Sequence, residues 1–196
     1  MIQTLNEIDT KLFVYLNSLH NEWLDQFMLY ISYNKYFMIL VLMALCALAS
    51  KVYHKKFIGL FFALVLAFGL SDSISTRVFK DNFERLRPCH QEALKDSVNL
   101  AGKKCWGGKF GFVSSHASNS FAIMTFFILL LKAKYSWIWL LYVYSSLVAY
   151  SRVYLAKHFP GDVIVGALLG ILISTLVLKL IGRFFPQLKP IHQNQS

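Results

Sequence analysis

The chain has 196 residues, 56% hydrophobic and 16% aromatic, with a mean hydropathy of +0.49 and a formal net charge of +10. Only 15% of its residues are charged, against about a quarter in an ordinary soluble domain, so the polar surface of a water-soluble globule is missing. The same arithmetic excludes a disordered chain, a collagen and a disulfide-dense secreted scaffold, and leaves a membrane protein of one domain, 1–196, as the expectation.

In chain order, Leu5, Ile8, Leu12, Leu16 and Leu19 recur at three- and four-residue spacing, the apolar face of an amphipathic helix. This N-terminal segment, 1–35, is expected to lie in the membrane interface with Trp23–Ile31 dipping deeper, or to make an additional crossing. A hydrocarbon core of about 30 Å needs about 20 apolar helical residues. Five stretches approach that: Tyr36–Ser50, Phe57–Ser75, Phe121–Leu131 extended by the small residues Ala117–Ser120, Tyr135–Ser151, and Val163–Ile181. The expected fold class is all-α, an integral membrane bundle of five to six transmembrane helices.

The short links Lys51–Lys56 and Lys132–Lys134 and the tail residues Lys179, Arg183 and Lys189 fall on one side of such a bundle, which the positive-inside rule makes cytoplasmic. The other side holds two polar stretches, Lys80–Val113 and Arg152–Gly161. The first carries seven Lys/Arg against four Asp/Glu, against the rule unless those charges serve a function. A basic balance suits nucleic acid, anionic lipid or an anionic substrate. Nucleic acid is excluded, because the basic residues form no single soluble face and no RNA-binding or zinc-finger signature is present. Cys46 reads as a small hydrophobe, while Cys89 and Cys105 share one polar loop and can pair if it faces an oxidising compartment. Met1–Leu19 lacks the pattern of a cleavable signal peptide.

Three clusters sit at the boundary on the non-cytoplasmic side. They are Lys80, six residues, Arg87-Pro88; then Ser114-Ser115-His116; then Ser151-Arg152, five residues, His158, three residues, Asp162. Charge near membrane depth is costly and marks function unless it snorkels to the interface. Over Lys80–Gly166 the chain resembles the type 2 phosphatidic acid phosphatases, integral-membrane lipid phosphatases related to vanadium haloperoxidases. The first and third clusters match that family's signature at every defined position. The second has Val113 for a proline and Ser115 for a glycine, and keeps Ser114 and His116.

The resemblance implies an enzyme that removes phosphate from a lipid phosphate or pyrophosphate, with no metal or other cofactor and with its site at the outer membrane interface. It implies that His158 attacks phosphorus to give a phosphohistidine, that Asp162 holds the His158 ring, and that His116 protonates the leaving oxygen. Lys80, Arg87, Arg152, Ser114 and the Ser115 backbone N–H would bind phosphate. By analogy with compact bacterial relatives, the expected substrate is undecaprenyl pyrophosphate, in the inner membrane and facing the periplasm. Phosphatidylglycerophosphate and lipid A are the alternatives, and a non-catalytic lipid-phosphate binder or transporter is the rival of another class.

The residue types suit this chemistry without the family name. Phosphoryl transfer spreads charge over the equatorial oxygens, which guanidinium forks and a lysine hold without metal. Losing one such donor typically costs about 2.7–4 kcal/mol of barrier. Asp162 lies one helical turn beyond His158, within reach of its ring. Asp72 and Arg77 read as helix-end polarity, and Glu84 and Arg85 as solvated loop charges.

Overall fold

The computed structural model describes residues 2–105 and 107–190. Among these, every regular element is helical apart from one isolated antiparallel bridge between Leu86 and Phe110. Two N-terminal helices, α1 (Ile2–Ser18) and α2 (Glu22–Tyr33), precede α3 (Lys35–Tyr53) and α4 (Phe57–Ser73). The last continues as a π-helical segment, Ile74–Lys80, and a single turn, α5 (Asp81–Phe83). After a long loop come α6 (Ser115–Leu131), α7 (Leu141–Tyr154) and α8 (Pro160–Phe184).

Local chemistry sets the boundaries. Asn21 and Asn34 cap α2 and α3 by accepting the Leu24 and Phe37 backbone N–H groups, each at 2.9 Å. The Asn34 N–H also donates to the Tyr30 carbonyl at 2.9 Å, so one asparagine closes α2 and opens α3 in a tight corner. His54, at φ 49°, ends α3 and starts the basic turn to α4. Pro160 occupies the first turn of α8, where its missing N–H costs nothing.

Two helical stretches are long and apolar enough to cross a membrane, Lys35–Lys80, broken at the His54 turn, and Pro160–Phe184; Ser115–Leu131 is a shorter apolar helix. On α8 the residues Ile164, Leu168, Leu172, Leu176 and Leu180 form one exposed row, while Gly166, Gly170, Ile173, Ser174 and Val177 are buried. That division puts leucine toward lipid and small residues toward protein. Its most extensive packing is against α6. A β-carbon on Gly166 would stand 2.6 Å from the Ser114 carbonyl oxygen, and one on Gly170 would stand 2.1 Å from that of Ser118. Only glycine permits so close an approach of two backbones. Buried hydroxyls tie the seam to its neighbours: Ser174 donates to the Ala122 carbonyl at 2.6 Å, and Ser71 and Ser118 share a bond at 2.7 Å.

α1 is helical over the amphipathic stretch up to Ser18, with Leu5, Ile8 and Leu12 pointing outward. Its inward residues are Phe13, packed edge-on against Phe159 at 5.3 Å, and Asn17. The Asn17 amide donates to the Tyr154 carbonyl at 2.6 Å and accepts the Asn99 N–H at 2.8 Å. The loop 84–114 is folded on itself by two backbone bonds and tied by a third to the turn after α7. Arg87 N–H donates to the Lys109 carbonyl at 2.9 Å, Gly111 N–H to that of Arg85 at 2.8 Å, and Cys89 N–H to that of Ala156 at 3.2 Å. Cys89 and Cys105 form a disulfide with Cα atoms 5.7 Å apart, which settles the pairing that the sequence left open.

Candidate active site

The close α6–α8 seam builds the centre of the site. Ser114 caps α6, and its backbone N–H donates to the Asp162 carbonyl at 3.0 Å, so the start of α6 is joined to the first turn of α8. Ser114, Ser115, His158 and Asp162 are all buried at this junction. His116, one residue further along α6, is exposed into a cavity of about 410 Å³. Asp72, Ser115, His116 and Asn119 form the polar end of that cavity, and Met38, Leu42, Phe68 and Ile123 line its apolar part. Asp72 accepts a bond from the Asn119 amide at 2.8 Å.

Three cations approach from different elements. Lys80, at the end of the π-helical segment, donates to the Ser115 hydroxyl at 2.8 Å. Arg87 comes from the loop, its Nε donating to the Phe110 carbonyl at 3.1 Å. Burial lowers its pKa, and the nearby Asp162 partly restores it. Arg152 comes from α7, almost fully buried, with one Nη bonded to the Ser32 hydroxyl of α2 and its guanidinium 5.6 Å from the Tyr33 ring. Lys80, Arg87, Arg152 and His158 are all near enough to act electrostatically on His116.

His158 lies between α7 and α8, its N–H bonded to the Arg152 carbonyl at 3.2 Å. Burial above all pushes its pKa down from 6.5 to about 4; Asp162 opposes that shift, and Arg152 and Arg87 add to it. The imidazole is therefore neutral near pH 7. Its Nδ1 stands 3.6 Å from Asp162 Oδ2, a close contact longer than a hydrogen bond. The same Oδ2 accepts the Phe159 N–H at 3.0 Å. Gly111 fills the gap beside them: a β-carbon there would stand 3.1 Å from Arg87 Cγ, 3.2 Å from Asp162 Oδ2 and 3.4 Å from His158 Nδ1.

All eight residues singled out by the sequence thus gather around one junction. The reading of Arg85 as a solvated loop charge is overturned. Its guanidinium bonds Asp162 Oδ1 at 2.7 Å and Asp9 Oδ2 at 2.7 Å, and lies 4.2 Å from the Phe159 ring. An arginine flanked by two carboxylates and an aromatic face has no reason to seek solvent. Sequence reasoning also missed Asp9, Ser32, Gly111 and Lys157. The last is buried, with its pKa brought down to about 8 by burial and then by Arg152 and Arg87. No local pattern marks these residues, because each contact is long-range. Among the described residues, the cluster with metal-ligand spacing is Cys89, His90 and Cys105. The disulfide removes both sulfurs from the thiolate form a metal would take.

Comparison with known proteins bears on the family and the fold. Residues 56–186 match the PAP2 superfamily. The chain is 31% identical over 174 residues to a lipid A 4'-phosphatase of Porphyromonas gingivalis, covering 88% of this chain and 72% of that protein. A transmembrane PAP2-type phosphatidylglycerolphosphate phosphatase from Bacillus subtilis superimposes with a TM-score of 0.67 at 25% identity, covering 93% of this chain and 87% of its own. LpxE of Aquifex aeolicus gives 0.61 at 28% identity, covering 87% of this chain and 94% of its own.

Proposed function

The chain belongs to the PAP2 superfamily, and on that premise we propose that it is a membrane lipid phosphatase acting on a phosphate of lipid A or a closely similar glycolipid. The observation that carries the reading is the meeting of Lys80, Arg87 and Arg152 with His116 and His158 at the α6–α8 junction, beside a cavity with apolar walls. A dianionic headgroup has its counter-charges there, and its hydrocarbon has somewhere to lie.

In this mechanism the Lys80, Arg87 and Arg152 side chains, with the Ser114 hydroxyl and the Ser115 N–H, hold the non-bridging phosphate oxygens. His158 Nε2 attacks phosphorus as a neutral imidazole, and the bond from phosphorus to the lipid oxygen breaks. His116 gives its proton to that leaving oxygen. Asp162 accepts the Nδ1–H of His158 and stabilises the positive ring of the phosphohistidine, closing the 3.6 Å gap between them. Water, deprotonated by His116, then attacks phosphorus; the P–N bond breaks, and phosphate leaves.

The substrate choice rests on the lipid A 4'-phosphatase of P. gingivalis. Undecaprenyl pyrophosphate, expected only by analogy, has no support among these relatives, and phosphatidylglycerophosphate is favoured by the B. subtilis likeness alone. The proposed topology is one domain with five crossings, α3, α4, α6, α7 and α8, and with α1 and α2 in the interface. The Cys89–Cys105 disulfide supports a site on the periplasmic side of a bacterial inner membrane.

The test is phosphate release by detergent-purified protein, in EDTA, from lipid A, phosphatidylglycerophosphate, phosphatidic acid and undecaprenyl pyrophosphate. His158→Ala is assayed beside the wild type. Fastest release from lipid A, absent in the mutant, is expected. Faster release from another lipid overturns the substrate, and no release from any of them by folded protein leaves a binder or transporter.

A further inference from the structure

We propose that Asp9 and Arg85 are positioning residues: with a hydrogen bond to Asn6 beside them, their ion pairs form a chain through which α1 sets the orientation of Asp162 and, through it, of His158. This rests on the reading of His158 as the nucleophile.

Asp162 is fully buried, and both of its oxygens are committed. Oδ2 takes the Phe159 N–H and faces His158, whereas Oδ1, on the side away from the histidine, is held by Arg85 Nη1 at 2.7 Å. The other Nη of Arg85 bonds Asp9 Oδ2 at 2.7 Å and Asn6 Oδ1 at 2.9 Å, both on α1. Asp9 then uses Oδ1 to accept the Gly161 N–H at 2.8 Å, one residue before Asp162. A β-carbon on Gly161 would stand 2.8 Å from the Asp9 carboxylate, so a glycine is needed for α1 to reach that amide. The guanidinium plane is fixed from its face by Phe159, which is itself packed against Phe13 of α1.

The carboxylate is thus gripped at its side chain by Arg85 and at the preceding amide by Asp9. A salt bridge serving only to dock α1 would not need to end on the buried oxygen of Asp162. The two residues also set the field behind the His158–Asp162 pair. The groups facing His158 are Asp162 from α8, Arg152 from α7, Arg87 from the loop and His116 from α6. Arg85 offsets part of the negative charge of Asp162, and Asp9 offsets part of the positive charge of Arg85. Without Arg85, Asp162 would favour the imidazolium more strongly, and His158 would bind its proton at higher pH. Asp9→Asn acts in the opposite sense and gives no upward movement.

The experiment measures two quantities on the full chain in detergent. One is the titration of His158 by NMR of 13C-labelled histidine, its signal identified by its loss in His158→Gln. The other is the kcat and KM for lipid phosphate hydrolysis. Arg85→Gln is expected to raise the His158 midpoint by about half a unit or more, and Asp9→Asn is expected not to raise it. Both should lower kcat about 10- to 100-fold with KM little changed, and Arg85→Lys should recover part of the loss. An unmoved midpoint in Arg85→Gln, or a moved one with wild-type kcat, overturns the inference. If Arg85→Gln fails to fold, Arg85→Lys and Asp9→Asn decide by the kcat–KM split, and a loss confined to KM overturns it. If the wild type hydrolyses nothing, the proposed function falls by itself, and the titration still decides whether Arg85 acts on His158.

Discussion

Gly111 has no side chain, yet three side chains of the site lean on the space it leaves. Replacing it by alanine puts a β-carbon 3.1 Å from Arg87 Cγ, 3.2 Å from Asp162 Oδ2 and 3.4 Å from His158 Nδ1. Ordinary van der Waals contact begins near the last of these distances, so Arg87 and Asp162 must each retreat by a few tenths of an ångström. The retreat is small for the fold and large for the chemistry, because both groups move relative to the same phosphorus. We expect kcat/KM to fall about 10- to 100-fold, equivalent to about 1.4–2.7 kcal/mol of barrier. The thermal midpoint should drop by only a few degrees, as for a loss of about 1 kcal/mol. Gly108→Ala is the control, since nothing lies within 4 Å of a β-carbon there. The assay is steady-state phosphate release with thermal melting of the same preparations. Wild-type kcat/KM in Gly111→Ala, or an equal loss in Gly108→Ala, would refute the argument.

Other expectations follow from the same geometry. Because burial pushes the pKa of His158 down to about 4, its neutral form persists as pH falls through 6.5. The acid limb of kcat/KM, corrected for ionisation of the substrate phosphate, should therefore lie nearer 4, and a limb at 6.5 would contradict the burial described. The same shift makes the fold lose stability as pH drops from 6.5 towards 4, where the unfolded chain binds the proton more readily. Reduction of Cys89–Cys105, 16 residues apart, should cost about 3 kcal/mol and speed proteolysis within 84–114, while turnover persists; unchanged melting and cleavage would count against a structural bridge. Gly170→Ala forces a β-carbon to 2.1 Å from the Ser118 carbonyl and should destabilise by about 3 kcal/mol or more. Gly69→Ala, with open space around it, should leave the melting point nearly unchanged.

Much of this was legible in the sequence because it is local. The apolar run Tyr36–Ser50 lies within α3, and Val163–Ile181 lies within α8. His158 and Asp162 fall one turn apart, so a fixed spacing announces a contact wherever the chain begins a helix. The illegible parts are those that distance along the chain hides. Asp9 and Arg85 are 76 residues apart, and each stands in a polar stretch where a solvated charge is the natural reading. Ser32 meets Arg152 across 120 residues, at a corner whose cap is readable but whose neighbour is not. The periodicity of α1 finds its exposed apolar stripe and is silent on Phe13 and Asn17, which dock it. Gly111 looks no different from Gly107 and Gly108 until the side chains around it are placed.

The glycine seam between α6 and α8 also separates what the bilayer can alter from what it cannot. Ser114 and Asp162 are joined by a backbone bond, and no side chain lies between the two helices at Gly166 or Gly170 to act as a cushion. The spacing between the start of α6, with His116, and the start of α8, beside His158, is therefore set by backbone against backbone, like two marks on one ruler. The cavity wall is different, because α2 and α3 line it from the exposed flank, and α2 meets Arg152 only through the Ser32 hydroxyl and the Tyr33 ring. A thicker, thinner or more ordered bilayer will strain that flank first. Lipid composition should then tune how readily a substrate enters and how tightly it is held, while the rate of the bond-breaking step stays constant.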